Sequence, residues 1–291
     1  MTPLDYEYLR KLVQERSGLA LGPDKQYLVE SRLLPVARKI AVAGISGLVQ
    51  KMKEPASEAI IAEVVEAMAT NESLFFRDKL PFDHFRDTIL PSLLAARARQ
   101  RRIRIWCAAA SSGQEPYSLA MCLKEMGSRL AGWRMEILAT DFSLDVLEKA
   151  KAGIYSQFEV QRGLPIQMLV KYFTQVGDMW QIVPAIRAMV QYRPFNLLND
   201  CARLGRFDVV FCRNVLIYFD QKTKIEVLDR LARVIEPDGY LVLGAAETVV
   251  GLTDSLKPIP DRRALYGPNA ARLQHQAAKF APRVVASNGG R

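Results

Sequence analysis

Histidine is nearly missing from this 291-residue chain, which has only His84 and His275, and its four cysteines, Cys107, Cys122, Cys201 and Cys212, include no CxxC pair. A zinc site draws on about four clustered nitrogen or sulfur ligands, so no metal centre is expected and the thiols should be reduced and mostly buried. No window comes near the roughly 18 uninterrupted apolar residues of a membrane span, and Met1–Lys11 lacks the apolar run of a secretory signal. The chain therefore reads as a cytoplasmic protein with no integral membrane segment. Also absent are GxxxxGK followed by Ser or Thr, the cradle of a P-loop, and GxGxxG, the cradle for a dinucleotide pyrophosphate.

What is present is a core-forming composition, 49% hydrophobic and 24% charged, at a length of about two domains of roughly 150 residues each. A net charge of +9 would suggest a nucleic-acid partner if it were spread evenly, since that affinity comes largely from phosphate neutralisation. It is not even. Residues 1–70 carry nine basic and nine acidic side chains, 71–104 eight against four, 105–256 sixteen against seventeen, and 257–291 seven against one. The excess sits in a junction and a tail, so no nucleic-acid partner is expected, although a basic stretch suits docking to an acidic protein.

Apolar residues recur at three- and four-residue spacing in Tyr6, Leu9 and Val13 and again in Ile60, Ile61, Val64, Val65 and Met68, which predicts helices. Gly22-Pro23-Asp24 precedes a helical stretch from about Tyr27 to Ala43 that Gly44 should end as a C-cap, and Ser57 is placed to cap the next helix. Residues 1–70 are thus expected to form an all-helical N-terminal domain, followed by a linker over 71–102 in which Pro91 opens a connecting helix. From Ile103 strands alternate with helices, the pattern of a parallel sheet covered on both faces. Strands are expected at Ile103–Cys107, Met135–Thr140, Phe207–Cys212 and Tyr240–Gly244, with helices over about 115–130, 144–150 and 222–235. Within this domain of residues 103–267, the stretch 156–195 breaks the alternation around the short runs Trp180–Val183 and Met189–Tyr192, which predicts an inserted antiparallel β-subdomain. Residues 268–291, with four basic and no acidic side chains and no apolar period, read as a disordered basic tail. No segment repeats another.

Ile103-Arg-Ile-Trp-Cys107 runs into Ala108-Ala-Ala-Ser-Ser-Gly-Gln-Glu-Pro-Tyr-Ser118: a strand, a turn of small side chains that lets a ligand approach the backbone, and a helix start. Doubly wound sheets bind nucleotide-like ligands at that end of the first strand, though a purely structural turn would look the same. Asp141 ends the second strand, where an ionised carboxylate can accept from both hydroxyls of a ribose or cap the following helix, a job Ser143 could do instead. An acid there without a phosphate cradle points to a nucleoside carried without pyrophosphate, and S-adenosylmethionine is the common one. Arg213 and Asn214 follow four apolar strand residues and should face the cleft, while Tyr218 is as readily a packed aromatic as a site residue. The Asn- or Asp-Pro-Pro-aromatic pattern is absent, which disfavours amine or amide methylation. In Thr70-Asn-Glu-Ser-Leu-Phe-Phe-Arg77, adjacent phenylalanines beside Asn71, Ser73 and Arg77 would combine an apolar lid with hydrogen-bonding groups and a fixed cation.

Taken together these segments resemble the CheR-type chemotaxis receptor methyltransferases, which methylate glutamate side chains of chemoreceptors with S-adenosylmethionine. The resemblance covers roughly residues 5–267 and rests on Thr70–Arg77, Ser111–Ser118, Ala139-Thr-Asp141, Phe195-Asn-Leu197 and Cys212–Phe219. It implies an α/β protein: a Rossmann-like class I S-adenosylmethionine-dependent methyltransferase domain with a small antiparallel β-subdomain, behind an all-α domain. It further implies that Asn71, Ser73 and Arg77 line the cofactor, with Arg77 near the transferred methyl. Glu115 and Asp141 would hold its amino-acid and ribose portions, Asn196 and Leu197 would flank the adenine, and Arg213 and Asn214 would complete the pocket. Tyr218 would lie near the substrate carboxylate; S-adenosylhomocysteine would be the product, and no metal would be involved. The family usually has Gly-Cys before Ser-Ser-Gly where this chain has Ala109-Ala110, and a glycine-specific positive φ there would be strained. By the same resemblance the helical domain contacts the cytoplasmic helical region of chemoreceptors, with Arg32, Arg38 and Lys39 as candidate contacts, and the β-subdomain binds a receptor C-terminal peptide in some members.

The chemistry suits a chain poor in histidine. A glutamate carboxylate, with an ordinary pKa of about 4.3, is already ionised at neutral pH and needs no general base. Its attack on a sulfonium methyl merges opposite charges, so the site has to align the reactants and exclude water, and the planar fork of Arg77 is suited to orienting a carboxylate. Two other classes compete. An RNA methyltransferase is favoured only by the overall basicity, and a non-catalytic cofactor sensor should have lost Arg77, Asp141 or Asn214, all of which are present.

Overall fold

The computed structural model describes residues 1–269 and residue 271; apart from its first residues, the expected basic tail lies outside the described residues. The N-terminal domain has four helices, α1 (Pro3–Ser17), α2 (Gln26–Lys39), α3 (Gly44–Met52) and α4 (Glu58–Met68). Thr2 and Asp5 satisfy each other's backbone N–H groups as a capping box, and Pro3 takes the first helical position, where no N–H is needed. The predicted apolar stripes meet in one cluster that buries Tyr6, Leu9, Val13, Leu33, Leu48, Val64 and Met68.

Three local expectations change. Helix α2 stops at Lys39 with Ala41, at φ 55°, in the left-handed place usually held by glycine. Val42 N bonds to Ala37 O and Ala41 N to Arg38 O, the Schellman pattern, and Gly44 begins α3 instead of ending α2. Ser57 turns its hydroxyl back to Met52 O at 2.6 Å and leaves α4 without a side-chain cap. Pro91 lies inside a helical run that starts at Leu80, and a π-helical turn over Phe85–Ile89 precedes it, widening the helix where the proline lacks an N–H. Of the three candidate docking cations, Arg32 is a structural tie, donating to Met68 O and Ala69 O and to Thr70 Oγ1. Lys39 pairs with Glu63 at 2.7 Å, and Arg38 is exposed.

The second domain holds strands β1 (Arg102–Ala108), β2 (Arg134–Asp141), β3 (Ile154–Ser156), β4 (Phe173–Val176), β5 (Met179–Ile182), β6 (Val190–Pro194), β7 (Phe207–Cys212), β8 (Ile235–Leu243), β9 (Leu256–Pro258) and β10 (Leu265–Pro268). Seven form one sheet in the order β6-β2-β1-β7-β8-β10-β9, parallel from β6 to β8 and antiparallel at β10 and β9. Alternation explains the near-continuous apolar runs: Ile103, Ile105, Cys107, Val209 and Phe211 enter one core, while Trp106, Ala108, Val210 and Cys212 enter the core on the opposite face. All four cysteines are free and buried, and burial pushes the Cys122 thiol up to about 12 and that of Cys201 to about 11. The inserted antiparallel sheet, in the order β3-β5-β4, is present. The run Met189–Tyr192 does not belong to it: β6 pairs parallel with β2, Val190 opposite Ile137, as an edge of the main sheet.

Candidate active site

Strand order runs outward in both directions from β1 and β7, so the topological switch point lies between them. Loops that follow neighbouring strands diverge there and leave a crevice at the carboxyl ends. A cleft opens at that point, with Ser17, Leu19 and residues 69–74 of the helical domain and junction along one side. All ten residues expected from the sequence line it: Asn71, Ser73, Arg77, Glu115, Asp141, Asn196, Leu197, Arg213, Asn214 and Tyr218.

Asp141 is only 5% exposed and accepts from Ser111 N at 2.8 Å and Ser143 N at 3.1 Å. It is not the helix cap; Ser143 caps the helix Leu144–Ala152 by accepting from Val146 N. A carboxylate offers about four acceptor positions, so Asp141 keeps capacity for a ligand. Burial raises its pKa, opposed by the backbone N–H groups of Ser143, Ser111 and Phe142. The turn after β1 has the strain foreseen for alanine: Ala109 sits at φ 60° and Ser111 at φ 49°. It is held by Ala110 N to Thr140 O, by Ser111 Oγ to Asn71 O, and by Tyr155 of the lobe donating to Ser112 O. Gly113, at φ 92°, has no room for a side chain, since a Cβ would lie 2.7 Å from Tyr192 Oη.

Arg213 lines the cleft from deep within its wall. Its side chain is 2% exposed and donates to Glu115 Oε2 at 2.8 Å, to Asp78 Oδ2 at 2.9 Å and to Arg77 O at 2.8 Å. One cation thus joins the helix after β1, the loop after β7 and the junction. Burial raises the Glu115 pKa, and Arg213 pulls against that shift. Arg77 is half-buried, with Nη1 donating to Glu72 O at 3.1 Å. Its neighbours Phe76, Asp78 and Lys79 all have positive φ, a concentration of backbone strain of the kind found at functional sites. The phenylalanines are not a lid. Phe75 is fully buried between the rings of Tyr155 and Phe173, and Phe76 packs on Phe82.

Asn196 and Tyr218 join the two domains beside the cleft. Asn196 donates to Arg16 O at 2.6 Å and accepts from Leu198 N, while Tyr218 O accepts from Ala20 N. One residue escaped the sequence reading. Glu247, buried behind the loop 213–218, accepts from a run of its backbone N–H groups. Its only signal was an acid four positions past the end of an apolar strand.

Residues 71–265 match the S-adenosylmethionine-binding domain of CheR methyltransferases, and residues 4–69 match their all-alpha domain. The chain belongs to the CheR methyltransferase family. It is 42% identical over 255 residues to the chemotaxis protein methyltransferase Cher2 of Pseudomonas putida, covering 86% of this chain and 92% of that protein. It is 43% identical over 256 residues to chemotaxis protein methyltransferase 1 of Pseudomonas aeruginosa, with the same coverage of 86% and 92%. Identity to the chemotaxis protein methyltransferase of Escherichia coli is 34% over 250 residues, covering 83% of each chain.

S-adenosylmethionine is therefore the cofactor, and the CheR cleft is chemically suited to it. Two buried carboxylates, Asp141 and Glu115, complement a diol and an ammonium group. Asn71, Asn196 and Asn214 supply amides, and Phe142, Phe195 and Leu197 supply apolar wall for a base. Among the described residues no group of three or more His, Cys, Asp or Glu is placed to hold a metal, and no single helix is long and apolar enough to cross a membrane.

Proposed function

We propose that this CheR-family enzyme transfers the methyl group of S-adenosylmethionine to glutamate side chains of chemoreceptors in the cytoplasm, giving methyl esters used in chemotactic adaptation. One observation carries the reading: ten motif residues from five separate chain segments converge on a single cleft at the switch point. The chemotaxis methyltransferases to which the chain is similar support the choice of receptor substrate. The bound cofactor supplies a methyl on a positively charged sulfur. Asp141 accepts from the ribose hydroxyls, Asn196 and Leu197 flank the adenine, and Glu115, fixed by Arg213, faces the amino-acid end beside Asn71, Ser73 and Asn214. Arg77 orients the incoming carboxylate with its planar fork, next to Tyr218. A carboxylate oxygen forms the bond to the methyl carbon as the carbon–sulfur bond breaks, and the electron pair stays on sulfur to give S-adenosylhomocysteine. No proton moves, so the residues serve alignment and exclusion of water.

The receptor's helical region would dock on the α domain near the exposed Arg38, and a receptor C-terminal peptide would extend an edge of the β3-β5-β4 sheet. The near balance of Glu72, Glu115 and Asp141 with Arg77 and Arg213 around the cleft counts against an RNA substrate. The test is transfer of tritium from labelled S-adenosylmethionine to chemoreceptor-containing membranes, followed by mild base. Label released as volatile methanol is expected; base-stable label would overturn the ester assignment.

A further inference from the structure

The chemistry above leaves unused a buried carboxylate beside the loop after β7. Glu247 lies four residues past the end of β8 and is 8% exposed, yet it forms no salt bridge among the described residues. Its charge is met by peptide groups alone. Oε2 accepts from Asn214 N at 2.8 Å and Gly244 N at 2.7 Å, and Oε1 accepts from Val215 N at 3.0 Å, Leu216 N at 2.8 Å and Ile217 N at 3.3 Å. Four of the five donors lead into the short 3-10 turn Leu216–Tyr218, and the first N–H groups of such a turn have no partner within it. Asn214 meanwhile sits at φ 57°, a conformation that an L residue keeps only when its surroundings hold it there. Packing around the carboxylate is tight: a Cβ on Gly244 would lie 2.7 Å from Glu247 Oε2 and 2.9 Å from Asn214 Nδ2.

We infer that Glu247 is a positioning residue for methyl transfer, its carboxylate fixing the backbone of 214–217 and thereby the places of Arg213, Asn214 and Tyr218 in the cleft. Removing the charge orphans several buried N–H groups together and frees Asn214 to leave the left-handed region. The Arg213 clamp on Glu115 and the ring of Tyr218 then lose their common support. This inference rests on the reading of the cleft as the methyl-transfer site.

The test compares Glu247→Gln and Gly244→Ala with Asp208→Asn in the full chain. Asp208 is also a buried carboxylate on the β7 side of the sheet, but it bonds Arg97 and Arg104 N at the amino end, away from the cleft. Thermal melts, S-adenosylhomocysteine affinity and single-turnover methyl transfer at saturating cofactor are measured well below the melting transitions. Glu247→Gln should weaken binding by about fivefold or more and slow transfer by at least about tenfold. Gly244→Ala, which displaces the carboxylate without removing it, should fall between that variant and wild type. Asp208→Asn should lower the melting temperature yet leave affinity and rate per folded molecule unchanged. Should Glu247→Gln fail to fold, Gly244→Ala decides by the same two readouts. Affinity and rate within twofold of wild type in a folded variant would overturn the inference, and so would equal losses in Asp208→Asn, which would mark a general stability effect. Absence of any methyl transfer to receptor membranes by the wild-type protein would instead sink the reading of the cleft itself.

Discussion

Truncating Asp141 to alanine separates the bonds this carboxylate makes within the protein from those proposed to the cofactor. In the free protein it accepts from Ser111 N at 2.8 Å and from Ser143 N at 3.1 Å. Each donor left dry and unpaired costs about 1–3 kcal/mol, but the new space opens on the cleft and admits water, so a stability loss of about 1–2 kcal/mol is expected. Losing charge-assisted bonds to a ribose diol costs about 1.5–3 kcal/mol, or about 10- to 150-fold in Kd. Calorimetric titration with S-adenosylhomocysteine, well below the melting transition, measures the second quantity apart from the first. An affinity within twofold of wild type would refute the ribose assignment and leave Asp141 as a tie for the Ala109–Ser111 turn. Acid adds a second check. Burial holds the folded pKa of Asp141 above its ordinary 3.8, so the folded protein binds this proton more readily than the unfolded chain. This group's contribution to stability therefore falls as pH rises from the unfolded to the folded value. Cofactor binding needs the ionised form and runs the other way, so Kd should climb as pH drops through the raised pKa. Asp141→Asn should flatten that climb to the part owed to Glu115, whose pKa burial also raises.

Arg77→Lys should keep the fold and most cofactor affinity but slow single-turnover transfer by at least about tenfold, roughly 1.4 kcal/mol in the barrier, because lysine keeps the charge and loses the fork. A rate within twofold of wild type would reduce Arg77 to a supplier of charge. Ala109→Gly should relieve the strain at φ 60° and, net of the extra freedom glycine gives the unfolded chain, raise stability by about 0.5–1 kcal/mol; a lower melting temperature would contradict this. Phe75→Ala, at a fully buried ring 5.0 Å from Tyr155 and 5.5 Å from Phe173, should cost about 3–5 kcal/mol in a denaturant titration. A loss under about 1 kcal/mol would mean that the junction and the lobe are not packed as one core.

The parts of this protein readable along the chain are those governed by short-range rules. Period-two burial in β1, helical stripes in α1 and α4, and the change of pattern at Ile103 follow from backbone geometry within a few residues. That Asp141 after β2 and Arg213 and Asn214 after β7 would gather at one cleft was equally legible, because a residue at the end of a strand is carried to the mouth of the sheet by the strand itself. Pairing was not legible. Val190–Pro194 carries no mark of whether its partner is the lobe or β2, since any short apolar strand satisfies either ladder; the choice belongs to the chain that closes around it. The same holds for polar side chains. Which group Arg213 grips 98 residues away, or Asn196 180 residues away, depends on where the fold brings an acceptor. Glu247 shows this most fully: an unremarked acid in sequence becomes the anchor of the loop after β7 because burial leaves its charge and five peptide N–H groups no solvent to turn to.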